Sequence, residues 1–536
     1  MNLFSRKLKA FSLAICSVIV ATLSFPQGMS AATSTGKLSG IKEIVASSGF
    51  WGGSSFALGK DGTVWVWGSN VFGQFANGTA GPEGWTITPG RIPALDHTKQ
   101  LVIGSRGYYL ALKEEGTVTV WGDYPNHSSE LTENGSLGRQ RKVLLPQAIS
   151  GMTDVVTITS GSHNTLALKK DGSVLQWVSP ERAQSVPELP AATKVKGLSG
   201  VKWIGSGDYH AAIKDNGTLW LWAANQQSHP EGITVDPRPI KDLYHVKSVS
   251  MSGSSLAALT EGGSVWTTIS NENNNVITMK KMKGLSDIVS IQTKNGLNVA
   301  KNKKGEYWVW KADTLLKDLQ KITAVNQISK LSLDLDGLVA VKKDGTVWTW
   351  QRNSSIENTL GFTQPKQIKG LRDPLSFAMG ENSKYAVLKD GTAVAWGTNM
   401  FGQLGISALD SRPFTVSPVL KPVAVIVNGK KVDSIQPAIF LDGSVRVPLR
   451  DVAESLGYTL SWNGNLKLSK VGKDGSTKEI IYSEDKFINH DGSSIMLQPR
   501  AINVSYTLLV PAAALAKALG ASAEWDSNLY QLTLRI

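Results

Sequence analysis

A turn that recurs eight times constrains the fold of this 536-residue chain more than any other feature. Each copy has Asp-Gly or a close relative, followed by alternating apolar and aromatic residues, as in Asp61-Gly62-Thr63-Val64-Trp65-Val66-Trp67. The glycine recurs after 54, 56, 45, 46, 42, 40 and 46 residues, a period typical of stacked structural repeats. The eight turns are Asp61-Gly62, Glu115-Gly116, Asp171-Gly172, Asn216-Gly217, Gly262-Gly263, Lys304-Gly305, Asp344-Gly345 and Asp390-Gly391.

Each turn is expected to join the two strands of a hairpin. Asp-Gly is a strong hairpin signal, and we expect a type I′ turn with positive φ at both central residues. Twelve of the 17 Trp fall in the strands that follow the turns. Small residues mark the strands before the turns, such as 56–58, and we place these strands innermost. Because such sheets cannot bury their faces alone, the pattern predicts a β-propeller.

The first and last copies continue with a further motif. It reads Gly68-Ser69-Asn70-Val71-Phe72-Gly73-Gln74-Phe75 and Gly397-Thr398-Asn399-Met400-Phe401-Gly402-Gln403-Leu404-Gly405. This motif resembles the regulator of chromosome condensation repeat, whose members fold as β-propellers, usually with seven blades. The resemblance covers residues 38–420. It implies protein binding through one face of the ring, as in secreted bacterial members; the founding member's action on a nuclear GTPase and chromatin is not carried over.

A second internal repeat begins after Pro418 and Pro422. Val447-Pro448 to Leu456-Gly457 with Trp462 recurs as Val510-Pro511 to Leu519-Gly520 with Trp525, at an offset of 63. Each copy predicts a strand ending at Pro, a short helix stopped by Gly, and a strand carrying Trp. Asn428-Gly429 predicts a hairpin. The predicted fold class is therefore mainly β, a seven- or eight-bladed β-propeller (eight repeats counted) with a small C-terminal α+β domain.

Residues 423–536 resemble the copper amine oxidase N-terminal (stalk) domain of secreted and wall-associated bacterial proteins. The resemblance implies an accessory or wall-associated role. Oxidase chemistry belongs to a separate domain with a copper-binding set of histidines, whereas only His490 follows residue 423. We therefore predict neither copper nor oxidase activity.

The N-terminus has the pattern of a secretory signal peptide over residues 1–32. Arg6, Lys7 and Lys9 precede an apolar run over 10–23, and small residues at 30–32 suit cleavage. Removal of this segment takes away Cys16, the only Cys. We expect a protein of a Gram-positive bacterium that is secreted, extracellular or associated with the cell wall, and that has no membrane span after signal removal.

Catalytic and metal-binding motifs are not evident. The seven His form no close-spaced ligand pair, and Asp334-Leu335-Asp336-Gly337 is interpreted as a turn rather than a calcium loop. We predict no cofactor, no metal, no catalytic residue and no enzymatic activity. One alternative stays open: a cell-envelope enzyme acting on polysaccharide, with carboxylates that converge on the propeller face beside Trp51 or Tyr209.

The loops of the first four repeats are the candidate partner-binding site. They occupy equivalent positions in the ring and carry groups suited to an interface; alternatively, the rings fill gaps between blades. The formal net charge is +13, of which +9 lies between the signal segment and residue 423. The predicted partner is an unknown secreted or surface protein or an anionic cell-wall polymer, not nucleic acid. The candidate residues are Phe50, Trp51, Arg106, Tyr108, His163, Asp208 and Tyr209.

Overall fold

The computed structural model gives the fold of most of the chain. It describes residues 36–47, 53–81, 84–104, 108–123, 142–161, 164–178, 189–223, 236–270, 277–312, 319–334, 337–352, 360–380, 383–407, 413–463, 465–471, 477–483, 485–505 and 507–536. Up to Pro418, these residues form eight antiparallel sheets of four strands each, paired in chain order. Each sheet corresponds to one predicted repeat and is called a blade.

Blades 1 to 4 contain strands β1 to β16. They are β1 (Ile41–Ala46), β2 (Ser54–Gly59), β3 (Val64–Ser69), β4 (Trp85–Arg91), β5 (Thr98–Ile103), β6 (Tyr108–Lys113), β7 (Val118–Asp123), β8 (Lys142–Ala148), β9 (Val155–Ser160), β10 (Asn164–Lys169), β11 (Val174–Val178), β12 (Thr193–Lys194), β13 (Val201–Ser206), β14 (Tyr209–Lys214), β15 (Leu219–Ala223) and β16 (Arg238–Pro239).

Blades 5 to 8 contain strands β17 to β32. They are β17 (Val246–Ser252), β18 (Ser255–Thr260), β19 (Val265–Ser270), β20 (Ile277–Lys281), β21 (Ile288–Lys294), β22 (Leu297–Asn302), β23 (Tyr307–Lys311), β24 (Gln320–Lys321), β25 (Ile328–Leu333), β26 (Gly337–Lys342), β27 (Thr346–Gln351), β28 (Lys366–Arg372), β29 (Pro374–Met379), β30 (Ser383–Leu388), β31 (Ala393–Gly397) and β32 (Phe414–Pro418).

The blades close into a ring of eight. Each contacts the next, and β1 of blade 1 packs against β29 and β30 of blade 8. The first strands of neighbouring blades touch one another, so they lie nearest the axis. The prediction that the strand before the Asp-Gly turn is innermost was therefore wrong: that strand is second in every blade, and the first strands lack the tryptophan pattern that marks the repeats.

The Asp-Gly turns do not have the predicted type I′ geometry. Gly62 has φ +80°, but Asp61 is not among the described residues with positive φ, and the Gly62 N–H donates to the carbonyl of Gly59 (3.1 Å). This is a type I turn followed by a left-handed glycine. The Thr63 N–H and hydroxyl both donate to Oδ1 of Asp61, at 3.1 and 2.7 Å. Asp at the turn is thus explained by a side-chain cap.

The turn glycines also join neighbouring blades. The Thr98 N–H, at the start of blade 2, donates to the carbonyl of Gly62 in blade 1 (3.0 Å). Six of the blade interfaces in the described part of the chain contain this bond, and between blades 7 and 8 the Asp373 N–H donates to Gly345 instead, because Pro374 has no N–H. A Cβ at Gly62 would lie 3.1 Å from Cα of His97, so the position requires Gly for close approach as well as for φ.

The C-terminal module, residues 423–536, contains three sheets and two helices. Its elements are β33 (Ala424–Val427), β34 (Lys430–Val432), β35 (Ile439–Leu441), β36 (Ser444–Pro448), α1 (Leu449–Ser455), β37 (Thr459–Asn463), β38 (Asn465–Val471), β39 (Thr477–Ser483), β40 (Lys486–Asn489), β41 (Ser494–Met496), β42 (Ile502–Val504), β43 (Thr507–Pro511), α2 (Ala512–Leu519), β44 (Ser522–Asp526) and β45 (Gln531–Arg535). The sheet orders are β34-β33-β45-β44, β35-β36-β43-β42 and β37-β38-β39-β40-β41.

The predicted internal repeat of this module is confirmed. Strands β36 and β43 end at proline, pair with each other, and lead into α1 and α2. Asn428 and Gly429 both have positive φ, 48° and 81°, so the type I′ hairpin predicted here is present. Over the described segments, no helix is long and apolar enough to cross a membrane.

Candidate binding surface

The loops that carry the candidate residues lie at one end of the ring. Segments 47–53, 104–107, 161–163 and 207–208 each join the first strand of a blade to the second. In an antiparallel blade, the third-to-fourth-strand connections emerge at the same end, called here the loop end; the Asp-Gly turns lie at the opposite, turn end. Phe50, Trp51, Arg106 and His163 fall outside the described residues.

Tyr108 and Tyr209 lie between blades. Both side chains are fully buried, at 1% and 0% exposure. The Tyr108 hydroxyl is 2.9 Å from Oγ of Ser160, and its ring makes an edge contact with Trp177 in blade 3 (centroids 5.7 Å apart). The Tyr209 hydroxyl donates to the carbonyl of Ser254 in blade 5 (3.1 Å). Their burial agrees with the alternative, that these rings fill gaps between blades; partner binding through them stays a prediction.

Asp208 belongs to a row of loops that pack closely on one another. Its N–H donates to the carbonyl of Gly253 in the next blade (3.1 Å). A Cβ at Gly207 would lie 2.3 Å from the carbonyl oxygen of Gly253, and one at Gly161 would lie 2.3 Å from that of Gly207. Blades 3, 4 and 5 therefore present a tightly packed backbone surface at the loop end, with the half-buried Asp208 on it.

The carboxylates that could suggest calcium have protein partners. Asp334 is 3% exposed and forms an ion pair with Lys384, whereas Leu335 and Asp336 lie outside the described residues. Hydrogen bonds from Thr63 lower the pKa of Asp61, and the Ser173 hydroxyl does the same for Asp171. Within the described ranges, no three His, Cys, Asp or Glu side chains cluster as metal ligands.

The C-terminal module contacts the outer strand of blade 1. Oε1 of Gln436 accepts a hydrogen bond from the Ile87 N–H (3.0 Å), and its Nε2 donates to Oγ1 of Thr88 (3.2 Å). The Gln436 side chain is buried. Beside this contact, Ile87 packs in an apolar cluster with Ile439, Val504 and Leu509. Next to these contacts, a cavity of about 590 Å³ is bordered by residues of both parts, among them Trp65, Pro89, Arg91 and Pro437.

Known protein families match both parts of the chain. The family model of the regulator of chromosome condensation (RCC1) repeat matches residues 41–74, and that of the copper amine oxidase N-terminal domain matches residues 426–534. The first match spans β1 to the loop after β3, and the second spans β33 to β45. Both agree with the sheets described above.

Three known proteins are similar to parts of this chain. Protein pim1 of Schizosaccharomyces pombe is 27% identical over 210 residues, 35% of this chain and 38% of pim1. A protease inhibitor of Brevibacillus choshinensis is 43% identical over 75 residues, 14% of this chain and 22% of the inhibitor. The solved structure of Prp20p from Saccharomyces cerevisiae covers 68% of this chain and 87% of its own, at 16% identity and a TM-score of 0.43.

This chain spans well under half the length of these two curated relatives. What it shares with them is the repeat, and the sheets show the architecture that the repeat builds. The chain therefore combines a β-propeller, whose first blade matches the regulator of chromosome condensation repeat, with a C-terminal module that matches the copper amine oxidase N-terminal domain.

Proposed function

We propose that this chain is a secreted, non-enzymatic binding protein. Its propeller holds a secreted or surface protein or an anionic cell-envelope polymer, and the C-terminal module is an accessory or wall-associated part. The observation that carries the proposal is the closed ring of eight blades, which gathers the connections between first and second strands of all blades at the loop end. Such an end provides a broad, rigid surface of variable loops on a common scaffold.

Two further features support this function. The relative from Brevibacillus choshinensis is named a protease inhibitor, and an inhibitor of this size acts through a protein interface. The N-terminal pattern of charged and apolar residues supports secretion, and the excess of basic residues before residue 423 supports contact with anionic envelope polymers.

Two binding assays test the proposal. The chain from Thr33 onward is co-sedimented with isolated Gram-positive cell walls over a salt series, and it is mixed with purified secreted proteases to measure inhibition. Binding to walls that decreases with salt indicates an electrostatic polymer ligand, and salt-resistant protease inhibition indicates a protein partner. If the chain neither binds the walls nor inhibits the proteases, the proposed function is wrong.

A variant of the loop residues tests where the partner binds. Phe50, Trp51 and Arg106 are replaced together by Ala, while Tyr108 and Tyr209 are left intact because their buried rings support the blades. Tyr244→Ala is the control, since Tyr244 is 60% exposed and lies at the turn end. We expect the triple variant to lose protein binding at least about tenfold and the control to bind normally. Equal binding by all three proteins would remove these loops from the site.

A further inference from the structure

Every first strand of the propeller contains a β-bulge at the same place. In blade 1, Ile41 pairs with Gly59 and Glu43 with Leu58, so Lys42 has no opposite residue. The same shift occurs in the other seven blades. A bulge changes the direction in which a side chain points. The bulged residues, in blade order, are Lys42, Lys99, Val156, Lys202, Lys247, Val289, Ser329 and Leu375.

These bulges form a ring at the turn end of the central channel. They sit at the second residue of each first strand, where the strand leaves the turn end, and the first strands lie nearest the axis. Four of the eight residues are lysines, and all four are exposed. Lys330 in blade 7 directly follows its bulge and adds a fifth ammonium group.

Three of these five ammonium groups donate hydrogen bonds to backbone carbonyls. Nζ of Lys42 donates to the carbonyl of Lys99 (2.9 Å), and Nζ of Lys99 donates to that of Val156 (3.2 Å). Nζ of Lys330 donates to the carbonyl of Leu375 (2.7 Å). Each bond reaches the first strand of the next blade, so the side chains follow the circumference of the channel mouth.

The lysines of this ring lack carboxylate partners, unlike lysines in the surrounding turns. Among the residues that the structure describes, none of the five lysines has a carboxylate oxygen within 4.0 Å. In those turns, by contrast, Lys303 pairs with Asp287 (3.7 Å) and Lys389 with Asp373 (3.3 Å). Glu43 is the single acidic residue in the first strands, and burial raises its pKa.

The composition of the mouth favours a phosphate ligand over a protein. The cores of protein interfaces are depleted in Lys and enriched in Arg and aromatic residues, and the bulged residues include neither. Lysine binds phosphate as a compact point charge. Several ammonium groups around one opening suit a ligand with closely spaced negative charges.

We propose that Lys42, Lys99, Lys202 and Lys247, together with Lys330, bind a linear phosphate-bearing polymer at the turn end of the channel. This inference rests on the proposed function and names the chemistry and the site of its polymer ligand. The polymer site lies at the opposite end of the ring from the loops considered for a protein partner.

The test uses inorganic polyphosphate as the probe and the whole chain from Thr33 onward. The first variant replaces Lys42, Lys99, Lys202 and Lys247 by Gln. A matched control replaces Lys303, Lys304, Lys389 and Lys430 by Gln, which removes the same four charges from exposed positions elsewhere. We expect the first variant to bind polyphosphate about tenfold or more weakly, with a shallower dependence on salt, and the control to bind within about twofold of wild type.

Two additional variants distinguish a loss of binding from a loss of folding. Replacing the four lysines by Arg keeps the charge and retains binding. Lys202→Gln with Lys247→Gln removes two charges from side chains that make no hydrogen bond to the residues the structure describes, and weakens binding by an intermediate factor. Circular dichroism and the thermal unfolding midpoint confirm that each variant folds.

Three outcomes overturn the inference. If the four-lysine Gln variant and the matched control lose affinity for polyphosphate equally, the polymer is attracted diffusely to the whole basic surface. Poly-L-glutamate that binds as tightly as polyphosphate would make an acidic protein the ligand. If the variant with Gln at Lys42, Lys99, Lys202 and Lys247 still binds walls fully, the polymer binds elsewhere and the proposed function stands. If the wild-type chain binds polyphosphate but neither walls nor proteases, only the proposed function is wrong.

Discussion

Blades 8 and 1 differ from the middle blades in the hydrogen bonds that their loops make to the next blade. The loop of blade 8 binds blade 1, where the Trp67 indole N–H donates to the carbonyl of Gln403 (2.6 Å). The loop of blade 1 binds blade 2 in the same way, through Trp121 and the carbonyl of Gln74 (3.0 Å). In blades 4 and 6, the indole N–H groups of the buried Trp222 and Trp310 have no such partner in the described part of the chain.

The difference shows what the Gly-x-Asn-x-x-Gly-Gln motif does. In blade 1, Oδ1 of Asn70 accepts the Phe75 N–H (2.9 Å) and Oε1 of Gln74 accepts the Phe72 N–H (2.7 Å). In blade 8, the equivalent Asn399 and Gln403 make the same two bonds, both at 2.8 Å. The motif residues thus fix the loop, and the fixed loop offers a carbonyl to the next blade. Where the preceding blade lacks the motif, as for blades 4 and 6, the buried indole has no such bond in the described residues.

The largest effect is expected where this loop packs on a backbone. Gly73 and Gly402 occupy the same motif position and both have φ +71°, so Ala at either costs about 1–2 kcal/mol in backbone strain. A Cβ at Gly402 would also lie 2.2 Å from the carbonyl oxygen of Thr86, whereas one at Gly73 would meet the movable Leu144 side chain at 2.6 Å. We expect Gly402→Ala to lower the free energy of unfolding by about 3 kcal/mol or more and Gly73→Ala by less.

Urea unfolding followed by tryptophan fluorescence measures both variants. The comparison requires equal slopes against urea, so that the midpoints report stability. A larger loss in Gly73→Ala than in Gly402→Ala would show that the close approach between blade 8 and blade 1 does not control the stability of the ring.

A smaller effect is expected from the indole hydrogen bond itself. Trp67→Phe and Trp222→Phe remove similar volumes from fully buried positions, but only Trp67→Phe removes a hydrogen bond, since the Gln403 carbonyl loses the indole donor and keeps the Tyr385 hydroxyl. We expect Trp67→Phe to be more destabilising by about 0.5–1.5 kcal/mol, the net contribution of one buried hydrogen bond. Thermal unfolding of the two proteins checks this; equal shifts in Tm would mean that the bond contributes nothing to stability.

The smallest effect is expected at the Asp-Gly turns, which occur in blades with the Gly-x-Asn-x-x-Gly-Gln motif and in blades without it. Hydrogen bonds from Thr63 lower the pKa of Asp61, which is ordinarily 3.8. Because the folded pKa is depressed, the ionised carboxylate stabilises the fold above its ordinary pKa, and this contribution is lost as pH falls through the lower folded value. Asp61→Asn keeps the acceptor and removes the charge, so its stability is expected to approach that of wild type in acid.

Blade 4 provides the matched control for this effect. It has Asn216 at the turn, and Oδ1 of Asn216 accepts the Thr218 N–H at 3.1 Å. Asn216→Asp is therefore expected to gain the acid dependence that Asp61→Asn loses. Unfolding midpoints between pH 7 and pH 3 measure both, and unchanged pH profiles would show that the turn carboxylates do not titrate with folding.

The C-terminal module contains a similar divergence between equivalent positions. Trp525 stacks on Phe440 (centroids 5.4 Å apart, interplanar angle 7°), whereas Trp462, its counterpart in the first half of the repeat, is 74% exposed. The sequence repeat specifies the strand, the helix and the second strand in both halves. The partner of each tryptophan depends on residues outside the repeat.

The sequence by itself determined the eight hairpins, their order and the internal repeat of the C-terminal module, because turn residues and alternating apolar residues act over a few positions. It did not reveal the first strands, which have no tryptophan pattern, and it left open whether Tyr108 and Tyr209 fill gaps between blades or face a partner. Only the tertiary structure decided the bulges that bring lysines to one channel mouth and the contact of Gln436 with blade 1. These features depend on hydrogen bonds between residues far apart in the chain, which local patterns do not specify.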